Sequence, residues 1–171
     1  MHRTILLMLA AFLAACSFAA PASAQSLPLN KWYKYCDADG TCIVEHRIPK
    51  WQVIFQILIR PTAKQPIIAA AIWWRDAERK PGMTWQIDDG KTLKVPYIEC
   101  SKIRCSAQVE LNDEYLDVLR NGSTYHLGAT REGQYVLVDV PLRGFRTAYD
   151  RGPTMTWDKR LQLQKAGNLL Y

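Results

Sequence analysis

Histidine is scarce in this chain, with three residues in 171. His2 lies in an N-terminal stretch that reads as removable. His46 and His126 stand alone in sequence, a poor basis for acid–base chemistry. No Gly-x-Ser-x-Gly elbow, His-Glu-x-x-His pair or glycine-rich phosphate loop occurs, which removes the usual signatures of serine hydrolases, zinc proteases and nucleotide-binding enzymes. No Cys-x-x-Cys is present, so the common redox spacing is missing. Long apolar runs are lacking too. Ile5 to Ala15 is too short for a bilayer, which needs roughly 20 residues.

What stands at the N-terminus is a different signal. His2 and Arg3 precede the apolar run, and Ala22-Ser23-Ala24 offers a small-residue cleavage site before Gln25. That order describes a secretory signal peptide over residues 1–24 and predicts export to the periplasm or outer membrane. The "LAAC" stretch, Leu13 to Cys16, also resembles a bacterial lipoprotein cleavage box. Lipidation at Cys16 would attach the protein to the outer membrane, because two or more acyl chains anchor firmly where one does not. The alternative is a small apolar residue near the end of the leader, and the well-formed Ala-x-Ala site favours that released product.

After processing, Cys36, Cys42, Cys100 and Cys105 remain. An even count in an exported chain reads as disulfides, and four cysteines allow three pairings. The spacing argues for Cys36–Cys42 and Cys100–Cys105, each across a tight turn. Zinc sites use gaps of two to four residues and reduced thiolates. Here the gaps are "DADGT" and "SKIR", five and four residues, and the expected compartment is oxidising. "DADG" also lacks the remaining oxygen ligands of a calcium loop. No metal and no cofactor is expected. Asp-Gly between strand-like runs is turn chemistry. Closing so short a loop contributes roughly 2 kcal/mol, useful but not decisive for a chain able to bury its own core.

Period-two alternation runs through the mature chain. Trp51, Val53, Phe55, Ile57 and Ile59 share one face, as do Ala107, Val109 and Leu111, and again Val136, Val138, Val140 and Leu142. Met83, Trp85 and Ile87 lead to an Asp89-Gly90 hairpin signal, with Leu93, Val95 and Tyr97 continuing. The run "IIAAAIWW", 67–74, is apolar on both faces, as in a central strand or one under a second layer. One helix is well marked over "NDEYLDVLRNG". Asn112 can cap it, Asp113 and Glu114 suit its positive end, and Asn121-Gly122 stops it. "GFRTAYD" reads as a further turn or two. Residues 151–171 fit an extra strand, a short helix or a tail. Eight or nine short strands predict an all-β fold, a single antiparallel β-sandwich with one short helix and two local disulfides, over residues 25–150, with 151–171 as a C-terminal extension.

His46 shares an apolar face with Val44 and Ile48, which suits a structural, hydrogen-bonded histidine. His126 falls on the polar side of its strand. A glycan-acting enzyme would need two carboxylates at a defined separation. Glu45, Asp88, Asp89 and Glu99 are available, but no pair is marked out by its neighbours. The stronger candidate is a binding surface in "IWWRDAERKPGMTW": Trp73, Trp74, Arg75, Arg79 and Lys80, residue types that concentrate interface energy. Against it, Trp73 and Trp74 point to opposite faces of a strand, so one belongs to the core. The formal charge is +6, one less after Arg3 leaves with the leader. That balance favours an acidic partner such as a polysaccharide, a lipid headgroup or a protein face. Nucleic acid is not expected outside the cytoplasm.

The run "DDGKTLKVPYIECSKIRCSAQVELNDEYLDVLRNGSTYHL" and the later "VPLRGFRTAYD" resemble the bacterial invasion-associated locus B family. "WYKYCDADGTCIVEH" matches the family's Trp and Cys near the mature start. Asp89-Gly90 matches its turn, and Pro96, Tyr97, Cys100 and Cys105 match its aromatic strand entering a cysteine pair. Leu116, Leu119 and Gly122 match its helix, and Gly144-Phe145 its closing segment. The likeness covers roughly residues 30–150. The charged "WWRDAERKPG" departs from an apolar, proline-rich family segment, and the chain continues past the usual end. The resemblance implies a small exported envelope protein, associated in some members with host-cell entry, and carries over no catalytic residue. The expected function is therefore a non-enzymatic binding module with an envelope or host-surface partner. The competing expectation is a structural envelope component without a ligand.

Overall fold

The computed structural model describes residues 31–60, 62, 66–73, 77–101 and 104–165. Residues 1–30, on which the signal-peptide and Cys16 expectations fall, lie outside them. Eleven strands and three helices follow in chain order: β1 Trp32–Cys36, β2 Cys42–Ile48, β3 Val53–Ile59, β4 Ile67–Trp73, β5 Met83–Ile87, β6 Leu93–Val95, β7 Tyr97–Cys100, β8 Cys105–Leu111, α1 Asp113–Asn121, β9 Thr124–Arg131, β10 Gln134–Pro141, α2 Phe145–Asp150, β11 Met155–Thr156 and α3 Trp157–Lys165. They form a seven-stranded sheet, β11-β1-β2-β3-β4-β8-β7, and a four-stranded sheet, β10-β9-β5-β6. All strand pairs are antiparallel except β1 with β11. This is the expected β-sandwich, and β4 is an interior strand of the large sheet, between β3 and β8.

Alternation decides which side chains enter the core. Trp32, His46, Phe55, Ala71 and Ala107 lie in one cross-strand row and are buried. Opposite them the small sheet contributes Trp85, Tyr125, Leu127 and Val140, all buried. The ring centroids of Phe55 and Tyr125 are 4.6 Å apart, and those of Trp85 and Tyr125 5.8 Å. Alanines at 69, 71 and 107 leave volume for these rings, the large-against-small matching that dense cores require.

Both disulfides are local. Cys36 faces Cys42, and Cys100 faces Cys105, across adjacent antiparallel strands. At the first tip Gly40 has φ +87°, and the Thr41 N–H donates to the Asp37 and Asp39 carboxylates at 2.9 Å each. The stretch "CDADGTC", Cys36 to Cys42, is thus a clasped hairpin.

Three local expectations change. The turn at Asp89-Gly90 is wider than two residues, since the last pair before it is Trp85 with Leu93. Asp88, not the glycine, takes positive φ, and its carboxylate accepts from the Ser123 and Thr124 N–H groups. The run Leu93–Tyr97 is not one strand. Pro96 brings no N–H to a ladder, and the chain there passes from the small sheet (β6) to the large one (β7). Helix α1 starts as expected, with Asn112 accepting from the Tyr115 N–H at 2.8 Å. Its stop at Gly122 has a different cause, because φ there is −72°. A Cβ would lie 2.6 Å from Ile87 and 3.0 Å from Leu142, so glycine serves close packing.

Residues 151–165 hold both a strand and a helix. β11 runs parallel to β1, pairing Tyr35 with Met155. α3 then covers the outer side of the large sheet, with Trp157 5.4 Å from Tyr35 and Leu163 buried.

Candidate functional site

The loop following β4 carries the binding residues suggested by sequence. Trp73 is 3% exposed and sits in the core opposite Cys105, so it presents no surface. Trp74 and Arg75 lie outside the described residues. Arg79 and Lys80 are exposed. The loop is tied down on two sides. The Glu78 N–H donates to the Thr130 carbonyl at 2.7 Å, and its carboxylate accepts from the Gly133 N–H at 2.6 Å. The Arg79 guanidinium donates to the Cys100 carbonyl at 2.9 Å. The Arg79 guanidinium is therefore held against the second disulfide hairpin, with Lys80 exposed beside it.

The carboxylates do not converge. Glu45 lies on the outer side of the large sheet, under α3, and is 3% exposed. It accepts from Tyr35 Oη at 2.7 Å, from Gln56 Nε2 at 2.5 Å and from Arg47, with Arg160 at 3.5 Å. Burial alone would raise its pKa. The Arg47 charge and hydrogen bond, then Arg160 and Tyr35, outweigh burial and hold the carboxyl below its ordinary value. Asp88 caps a chain connection, Asp89 is exposed in the turn, and Glu99 pairs with Arg104 at 3.5 Å.

The two histidines are equally separate. His46 packs 5.0 Å from Trp32 in the core, and burial pushes its pKa down to about 4 against smaller upward pulls from the Lys31 backbone and Glu45. His126 Nδ1 is 2.7 Å from Asp139 in a cross-strand pair on the outer side of the small sheet. Among the described residues no group of three or more His, Cys, Asp or Glu side chains could hold a metal.

A concave site that sequence reading missed lies where β1 meets α2. A cleft of about 460 Å³ is lined by Lys31, Trp32, Arg143, Thr147, Arg151 and Thr154, with Gly144 and Ala148 behind them. Trp32 is fixed as its floor, donating from Nε1 to the Pro141 carbonyl at 2.9 Å and packing edge-on against Phe145 at 4.9 Å. Lys34 laces the walls together through Nζ, which donates to the Tyr149 and Arg151 carbonyls at 2.7 and 2.9 Å. Three cations line the cleft and no carboxylate does. The signal in sequence was faint. Arg143, Arg146 and Arg151 crowd "LRGFRTAYDR", but Lys31 is more than a hundred residues away and only the β1–α2 contact brings it near.

The fold and its polar groups define a disulfide-braced β-sandwich whose buried charges serve structure and whose surface cations stand at its rims. Among the described residues no helix is long and apolar enough to cross a membrane. The chain belongs to the invasion associated locus B (IalB) protein family, whose model matches residues 32–153. Among solved structures it is similar to invasion associated protein B from Bartonella henselae, with 17% identity, a TM-score of 0.59, and coverage of 82% of this chain and 99% of that one. At that identity the likeness shows the fold alone. No curated protein matches the chain by sequence. The family match ends before β11 and α3.

Proposed function

We propose that this chain is an exported, non-enzymatic protein of the bacterial envelope that works by binding a partner. Family membership supports the envelope location, and the name of the solved Bartonella relative supports a link to invasion. The observation that carries the binding reading is the braced loop Ala77–Gly82. Its frame of hydrogen bonds from Glu78 and Arg79 to β9, the β9–β10 turn and the second disulfide hairpin gives a fixed support, next to which Lys80 is exposed. Cations on a rigid frame lose little entropy when they meet an acidic surface. Glu45, Asp88 and His46 serve packing and capping instead of forming an acid–base pair.

The test is recovery of partners from envelope extracts with wild type and with Arg79→Ala and Lys80→Ala variants of unchanged melting temperature. Loss of a reproducible partner supports the reading. Unchanged recovery of every partner removes this loop from it.

A further inference from the structure

We propose that the cleft between β1 and α2 is a binding site for a phosphate monoester borne on a sugar-sized body. This site is independent of the loop Ala77–Gly82, at the other side of the large sheet. Charge is the first argument. Lys31, Arg143 and Arg151 line the cleft, and none of them has an acidic partner among the described residues. The nearby Asp150 is taken by Arg120 at 2.9 Å, and Arg120 also covers the Tyr149 ring at 4.6 Å. Lys34 adds a further positive charge, held by two carbonyls and offset in part by Asp150, which leaves three lining cations against no lining carboxylate. The local field therefore favours an anion.

Donor chemistry is the second argument. Two guanidiniums and an ammonium offer the charge-assisted hydrogen bonds that a tetrahedral, multiply charged oxyanion accepts better than a single carboxylate does. The Thr147 hydroxyl adds a neutral donor on the same wall. The Thr154 hydroxyl is already engaged, accepting from the Lys34 N–H and donating to the Lys34 carbonyl, so it stiffens the rim. The third argument is size and shape. About 460 Å³ exceeds what one phosphate fills and lies within the range of small-ligand clefts. A clamped indole edge at the floor gives the ligand's body an apolar contact.

The phosphate can come from a soluble sugar phosphate or from a phosphorylated lipid headgroup, and the experiment separates these sources. The full mature protein, labelled with ¹⁵N, is titrated with glucose 1-phosphate, with neutral glucose, and with vesicles of phosphatidylcholine with and without phosphatidic acid. The Trp32 indole N–H resonance is followed for the soluble ligands, and co-sedimentation for the vesicles. Arg143→Gln/Arg151→Gln removes two lining charges. Lys94→Gln/Lys159→Gln removes two exposed charges elsewhere. Expected is a Trp32 shift with glucose 1-phosphate or sedimentation with phosphatidic acid, weakened about tenfold or more by the arginine pair and little changed by the lysine pair. The ligand that responds identifies the source. Absence of binding to both phosphates, equal response to glucose, or equal loss in the two double variants overturns the proposal. The arginines are exposed, so the variants keep the fold, which a matching melting temperature verifies.

Discussion

Arg160, in the C-terminal helix, places its guanidinium 3.5 Å from the carboxylate of Glu45 in β2 while stacking 4.8 Å over the Tyr35 ring. Both partners are largely buried, with side chains 13% and 4% exposed. The contact fastens α3 to the large sheet and gives a buried carboxylate its second cation after Arg47. Removing the acid leaves Arg47, Arg160 and Tyr35 without their shared acceptor, so Glu45→Ala should cost about 3–5 kcal/mol. Removing Arg160 leaves Glu45 with Arg47 and two neutral donors, so Arg160→Ala should cost less, about 1–3 kcal/mol. Urea midpoints of the two variants check the order. Equal losses would show that Arg47 does not compensate.

His46 should make stability pH-dependent above the carboxylate range. Its folded pKa of about 4 lies below the ordinary 6.5, so the unfolded chain takes up the proton first as pH falls. The stabilisation is complete above about pH 6.5 and declines toward pH 4, by roughly 3 kcal/mol in all. His46→Leu should flatten that slope in urea unfolding at stepped pH. Glu45 acts in a lower window. Its depressed pKa gives stability present above the ordinary value near 4.5 and lost below it.

Gly122 tolerates no side chain without movement in the core. A Cβ at 2.6 Å from Ile87 presses on a buried residue, and the Val118 carbonyl and Leu142 close the other sides at 3.0 Å. Gly122→Ala should lower stability by about 1–3 kcal/mol even though alanine restricts the unfolded chain more than glycine does. A rise in melting temperature would refute that account.

Two sulfur bridges should be present in protein isolated without reductant. Intact mass is expected to be four hydrogens below the reduced value, and the same measurement reads the cleavage point after Ala24 or a lipid on Cys16. Serine in place of both Cys36 and Cys42 should cost roughly 2 kcal/mol through loop closure. Replacing Cys100 and Cys105 should cost more, because Cys105 is 1% exposed and its loss disturbs packing as well.

Alternation in β3, β8 and β10, the Asn112 cap and the pairing of near-neighbour cysteines were all legible in the linear chain. Each depends on contacts within a few residues or on a period of two, and such physics is written locally. The change of sheet at Pro96, the packing role of Gly122 and the strand-then-helix end of the chain were not. They depend on what lies opposite: Ile87 and Leu142 for Gly122, β1 for Met155, Glu45 for Arg160. The loop after β4 could be named from its tryptophans and arginines, but only burial showed that Trp73 belongs to the core. The cleft needed the tertiary structure most. Its cations come from both ends of the chain, and no spacing rule joins Lys31 to Arg143 and Arg151 until β1 packs against α2. Sequence by itself determined the strand-rich class and the local braces, because those follow from short-range geometry. The tertiary structure decided which charges are shared and which are left facing solvent together, because Coulomb energies depend on distance through space and not along the chain.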